Sequence, residues 1–398
     1  MERRSIIMSR NWSQRTKALF MWRLLLILAL LLSFVPPLAV GADEPVVENI
    51  ILLIGDGMGA GTRTAARYYY VGPDGQLAWE DFEWAGVTLT YSEDALITDS
   101  AAAGTAIATG HKTANGVISM NADGTVSYTT ILEEALARGK ATGLVATSQI
   151  QHATPAVFYA HVPSRRQYND IAAQMVDSGV NVFFGGGETY MLPETVTGTY
   201  GPGSRTDGRN LIEEMVALGY AYADNAADFA ALDTETTDYA LGLFGYKGME
   251  RPFTPSLAEM TEKAINILDN DPDGFFLMVE GSQIDWANHG NDADNSIGDT
   301  VGFNEAVEVA EAFLAEHPNT LIIVTADHET GGVAVETMDD PAQDGPYTTP
   351  EGDEFGVDFT STHHTANDVV TLATGPWSHL LAGTYHLTHI FDVMHQAL

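Results

Sequence analysis

Cysteine is absent from the 398-residue chain. That removes disulfide staples, Cys-based zinc sites, iron–sulfur clusters and thiol catalysis. Basic residues are scarce: 18 Lys and Arg stand against 54 Asp and Glu, a formal net charge of −36. Such a chain lacks the basic patches that neutralise phosphates, so nucleic acid is excluded as a partner. Docking on anionic lipid is disfavoured for the same reason. Long apolar runs are missing with one exception, LLLILALLLSFV at 24–35. It is shorter than the roughly 20 residues that span a bilayer. Repeats and low-complexity linkers are missing too. The apolar share of 45% is nevertheless that of a globular fold.

The apolar run has a context. Arg3, Arg4, Arg10, Arg15, Lys17 and Arg23 precede it, and PPLAVGA follows, with small residues at Val40 and Ala42. This predicts a secretory signal peptide over residues 1–42, cleaved after Ala42. The protein is then exported, to the periplasm or the medium, with no membrane attachment once the signal is gone. Cleavage leaves a chain of net charge −41. Residues 43–398 read as one domain, with turn-rich excursions at about 186–256 and 335–360.

Within that domain apolar runs alternate with helical patterns. NIILLIG (49–55), ATGLVATS (141–148), NVFFGGG (181–187), GFFLMVEG (274–281) and TLIIVTAD (320–327) predict buried strands. Helical stretches precede the last four. Repeated helix-then-strand units predict a three-layer α/β/α fold with a largely parallel central sheet. In such folds function gathers beyond the carboxyl ends of strands. Four of these strands end in polar residues: Asp56, the Gln149–Thr154 stretch, Glu280, and Asp327 with His328.

Each candidate has a bland alternative. The 55–60 stretch formally fits a dinucleotide fingerprint, but Asp56 would repel a pyrophosphate, so cation binding or a plain turn fits better. In TDSAAAGTAIATG (98–110) Ser100 falls near a helix N-terminus, where phosphate is favoured. The competing reading makes Asp99 or Ser100 a simple helix cap. No GxSxG surrounds Ser100, which argues against an α/β-hydrolase triad. HATPA (152–156) offers the Thr154 hydroxyl and the His152 imidazole after a strand. Arg165 or Arg166 could fork onto phosphate oxygens. In EGSQIDWANH (280–289) Asp285 and His289 share one face if helical, a bidentate grip suited to zinc. Asp327 and His328 can share a ligand sphere only if the chain bends after its strand. His363 and His364 add imidazoles downstream.

LLIGDGMG, TDSAAAGTA, TGHKTANG, HATPA, EGSQIDWANH, TADHETGG and HHTA, taken together, resemble a bacterial alkaline phosphatase from about Asn49 to Met394. The resemblance implies a serine nucleophile, Ser100, with two zinc ions and one magnesium ion. It implies that Asp285, His289 and His364 hold the first zinc, with His363 a second choice. Asp56, Asp327 and His328 would hold the second, joined by Ser100, and Asp56, Glu280 and Thr154 the magnesium. Arg165, not Arg166, would clamp phosphate. His152 and Trp286 would line the substrate site, a His/Trp pair similar to that of marine and cold-adapted members. The family also implies a small crown-like insertion, an alkaline optimum, and mostly dimers. The expected reaction is hydrolysis of small phosphate monoesters through a phosphoserine. A phosphodiesterase of the same superfamily and a non-catalytic binding protein are the competing readings.

Overall fold

The computed structural model describes residues 46–339 and 341–398. The expected signal peptide at 1–42 lies outside the described residues. The strands are β1 (Asn49–Ile54), β2 (Trp84–Leu89), β3 (Ala141–Gln149), β4 (Val182–Gly186), β5 (Ala221–Ala223), β6 (Ala240–Leu243), β7 (Phe275–Glu280), β8 (Thr320–Thr325), β9 (Glu329–Thr330), β10 (Val333–Glu336), β11 (Asp344–Thr348), β12 (Glu354–Phe359), β13 (His364–Thr365), β14 (Val369–Thr374) and β15 (Gly383–His386). Ten of them form one sheet in the order β15-β2-β14-β8-β1-β7-β3-β4-β6-β5. Only β14 runs against its neighbours there; all other pairs in this sheet are parallel.

The uninterrupted apolar run of β1 follows from burial on both faces. Ile50, Leu52 and Ile54 belong to one core, Ile51 and Leu53 to the other. The helices that position these cores and the site are α1 (Ala60–Tyr70), α2 (Ser100–Thr109), α3 (Ile131–Ala137), α4 (Ala153–Ala156), α5 (Tyr168–Asp177), α6 (Leu257–Leu268), α7 (Gln283–His289), α8 (Ala293–Glu316) and α9 (Thr388–Ala397). Apolar residues of α2, α3, α5 and α9 fill the first core. Those of α6 and α8 fill the second. The result is the expected α/β/α layering.

One of the two expected excursions differs from the sequence expectation. Residues 186–256 are not wholly an excursion: they return β5 and β6 to the sheet. Those strands have 3 and 4 residues, too few to carry a periodic signal. The strands β2, β14 and β15, on the far side of β8, are not legible in the sequence either. Residues 335–360 do leave the main sheet. They supply most of a separate antiparallel sheet, β10-β12-β11. Its Phe355 and Val357 pack on Ala65 of α1 and on Ala293 and Ile297 of α8.

The central registers place the chemistry. Ile54 of β1 lies opposite Glu280 of β7 and Thr325 of β8, and Ala146 of β3 lies opposite Glu280. Four adjacent parallel strands, β8-β1-β7-β3, therefore end nearly level, and the loops beyond them converge.

Candidate metal centre and nucleophile

Asp56 follows β1 between two glycines and is fully buried. Gly57 has φ +70°, and a Cβ there would meet Thr330 Oγ1 at 2.8 Å and Asp285 Oδ1 at 2.9 Å. Glycine is needed for both the conformation and the close approach. Glu280 is the last residue of β7. Asp327 and His328 follow β8 after the strand has ended, and the bend there brings His328 Nε2 to 3.1 Å from Asp327 Oδ2. Asp285 and His289 lie one turn apart on α7, with Asp285 Oδ2 at 3.4 Å from His289 Nε2. His364 comes from far along the chain: β13 pairs with β9, setting His364 opposite Thr330.

The first cluster is Asp285, His289 and His364. Their donor accounting is one-sided. His289 Nδ1 lies 2.7 Å from the Thr362 carbonyl and His364 Nδ1 2.9 Å from the Thr98 carbonyl. Carbonyls only accept, so both Nδ1 atoms carry the proton and both Nε2 atoms are bare. These two bare nitrogens nevertheless face each other at 3.1 Å. Asp285 Oδ1 stands 3.5 Å from His364 Nε2. Apart from the Thr330 hydroxyl on Asp285 Oδ1, these acceptors converge without a donor, which fits a cation.

The second cluster, Asp56, Asp327 and His328, repeats the pattern. His328 Nε2 is 3.5 Å from Asp56 Oδ1 and 3.3 Å from Ser100 Oγ. Asp327 Oδ1 accepts from the backbone N–H of Gly57 at 3.1 Å and of His328 at 3.0 Å, while its Oδ2 has no hydrogen-bond partner. The third cluster joins Asp56, His152 and Glu280, with the buried Thr154 hydroxyl beside them. Both Asp56 oxygens, Glu280 Oε1, Thr154 Oγ1 and His152 Nδ1 lack hydrogen-bond partners. Orphaned polar atoms in this number, all at one place, are what a site built for cations leaves behind in the protein alone.

The protonation equilibria report the same crowding. Burial, then the carboxylates of Asp327, Asp285 and Glu280, push Asp56 well above the usual carboxylate range. Burial pushes Glu280 up to about 7. Burial would also raise Asp327, but the adjacent His328 holds it below the ordinary value. Burial would lower His328, and Asp327 raises it instead. Burial, together with the His328 ring stacked at 3.6 Å, pushes His364 down to about 4.

Ser100 opens α2, and it is buried beside the second cluster. Asp99 is indeed the helix cap: its Oδ1 accepts from Ala102 N at 3.0 Å and from Gly116 N at 3.0 Å. Its other oxygen holds Arg165 Nη1 at 2.9 Å. Arg165 Nη2 donates to His152 Nε2 at 3.2 Å. The guanidinium is thus held from two sides near the N-terminus of α2. Burial and Arg165 push His152 down to about 3, leaving it neutral. Trp286 meets the His152 ring edge-on, with centroids 5.8 Å apart. Arg166 and His363 are exposed, and neither joins a cation cluster.

Apart from Arg166 and His363, the sequence-derived site residues gather beyond the carboxyl ends of the central strands. Two contributors escaped the sequence reading. Thr330 bonds both Asp285 and His328, and Asp99 holds Arg165 as well as capping α2. Thr330 stood inside the TADHETGG motif, but a threonine two places after a ligand carries no signal by itself.

The sequence model of the alkaline phosphatase family matches residues 47–354. Alkaline phosphatase 3 of Bacillus subtilis (strain 168) is 40% identical over 310 residues, covering 74% of this chain and 63% of its own. The chain thus spans a little under two thirds of that relative's length. The alkaline phosphatase of Escherichia coli (strain K12) is 33% identical, covering 90% of this chain and 87% of its own. Among solved structures, the alkaline phosphatase of the Antarctic bacterium TAB5 superposes with a TM-score of 0.78. It is 32% identical and covers 89% of this chain and 98% of its own. Sequence and fold agree over most of the molecule, and the chain belongs to the alkaline phosphatase family.

Proposed function

We propose that residues 43–398 act as one exported domain that hydrolyses small phosphate monoesters through a phosphoserine on Ser100. The carrying observation is the Ser100 hydroxyl, 3.3 Å from His328 Nε2 in a cluster where both Asp56 oxygens and Asp327 Oδ2 have no hydrogen-bond partner. Asp285, His289 and His364 would hold one zinc ion, and Asp56, Asp327 and His328 with Ser100 a second. Asp56, Glu280 and Thr154 would hold magnesium, an ion that a His 135 Asp variant of the TAB5 enzyme binds in its M3 site. When bound, these ions supply Lewis-acid charge that activates an attacking oxygen and stabilises a leaving one.

The chain's own groups do the rest. Ser100 Oγ attacks phosphorus in line and gives its proton to water, and the ester P–O bond breaks as the leaving oxygen takes a proton from water and departs as the alcohol. Water then cleaves the phosphoserine, returning Ser100 and inorganic phosphate. The N-terminal end of α2 favours the anion beside Ser100. Arg165 faces the equatorial oxygens, oriented by Asp99 and His152, and strengthens its hold as charge builds there. An alkaline optimum accompanies this reading.

The test compares p-nitrophenyl phosphate with bis-p-nitrophenyl phosphate. Faster turnover of the monoester is expected. Faster turnover of the diester overturns the monoesterase assignment.

A further inference from the structure

Thr330 touches both zinc-type clusters, and nothing in the proposed reaction uses it. We propose that Thr330 is a positioning residue that couples the first and second cation clusters, so that zinc loads them as a linked pair. The proposal rests on the metal-dependent reading above.

Thr330 is fully buried. Its backbone is fixed by donation to the Gly57 carbonyl at 3.1 Å and by the β9–β13 pairing with His364. Its hydroxyl carries one proton. That proton is spent on Asp285 Oδ1, 2.6 Å away. Toward His328 Nδ1, at 3.2 Å, the same oxygen must therefore accept. Two consequences follow. Asp285, a member of the first cluster, is held in orientation. His328, a member of the second, carries its proton on Nδ1 and presents a bare Nε2 to Asp327, Asp56 and Ser100.

One hydroxyl thus serves a carboxylate of one cluster and an imidazole of the other. A cation that fixes Asp285 fixes the direction of the hydroxyl proton, and so the His328 tautomer that the second cation needs. Linkage makes the help reciprocal. The alternation of β9 supports the arrangement. Thr330 points to the clusters, while Glu329 on the other side accepts from Gly332 N at 2.8 Å and from the Thr365 hydroxyl. That carboxylate ties the β13 segment, and hence His364, to the same two-residue strand.

The experiment strips metal from the full-length protein by dialysis against chelator and titrates zinc alone, following heat and bound zinc per chain. The wild type is expected to take up zinc at the two clusters with positive cooperativity. Thr330→Val keeps the shape without the hydroxyl. It should bind zinc about 10- to 100-fold more weakly and without cooperativity. Thr330→Ser should stay within a few-fold of wild type. A Thr330→Val protein with wild-type affinity and cooperativity overturns the proposal. If that variant does not fold, Thr330→Ala against Thr330→Ser is judged by the same criterion. A wild type that takes up no zinc defeats the metal-dependent reading as well, whereas unchanged variants defeat only the coupling.

Discussion

Among the described residues, the imidazole–carboxylate pair around half-buried His161 and the imidazoles and carboxylates beyond the central strands differ in their hydrogen-bond accounts. Around His161 every acceptor meets a donor. His161 Nδ1 faces the Ser119 carbonyl and Nε2 faces Glu133 Oε1, each at 3.0 Å. The other Glu133 oxygen accepts from Thr130 N at 2.8 Å, completing the capping box of α3. At the carboxyl edge of the sheet the opposite holds. Bare nitrogens face each other, and five carboxylate and hydroxyl oxygens of Asp56, Glu280, Asp327 and Thr154 lack partners. The residue types are the same in both places. A closed account makes a staple, and an open one marks a place where something else must bind.

Ser100→Ala gives the sharpest test of that contrast. Turnover should fall about a thousandfold or more, with zinc content and thermal stability retained. Near-normal turnover would sink the phosphoserine route. Prolonged chelation should come next. It should abolish activity and lower the melting temperature by several degrees, because ions bound only to the folded state stabilise it, by about 2.7 kcal/mol at a hundred times Kd. Full activity after metal stripping would break the comparison at its open end.

The closed end predicts a smaller and different effect. His161→Gln should leave metal content and turnover unchanged and cost about 1 kcal/mol of stability, the pair being partly solvent-screened. The pH dependence has a definite sign. Burial would lower His161, but the bond to Glu133 raises it above 6.5. Its contribution is therefore complete below 6.5 and is lost as pH rises through the raised value. Burial would raise Glu133, but the bond to His161 lowers it below 4.5. That contribution is present above 4.5 and is lost as pH falls through the lowered value. The melting-temperature gap between wild type and His161→Gln should be wider at pH 6 than at pH 10. An equal gap at both would show that His161 is not held as an imidazolium. The smallest expected effect is ionic. With 54 acidic residues against 18 basic, an anionic substrate approaches through repulsion, so moderate NaCl should raise kcat/KM by about twofold. A flat profile would show that surface charge does not govern encounter.

Much of this was legible from the residues. The five strands that carry or flank the site read as apolar runs because parallel strands buried on both faces cannot alternate. The i, i+4 spacing of Asp285 and His289 announced a shared helix face, and Ser100 was placed at a helix start. The motif likeness chose Arg165 over Arg166 and His364 over His363; the chosen members are half-buried and the other two exposed. What stayed hidden was non-local or short. β5 and β6 are too brief for a period. β14 runs antiparallel within a parallel sheet. Thr330 matters only because two clusters meet there.

The amino-acid pattern was enough for the layered α/β fold, the strong acidity, and the set of polar residues beyond the strand ends, because burial pattern and charge are local properties. Tertiary structure alone decided which ring nitrogens are bare, how Asp99 and His152 hold Arg165, and how β13 carries His364 to a site that begins at Asp56. Those depend on where each proton finds an acceptor, and that is settled only when distant segments are brought within about 3 Å of one another.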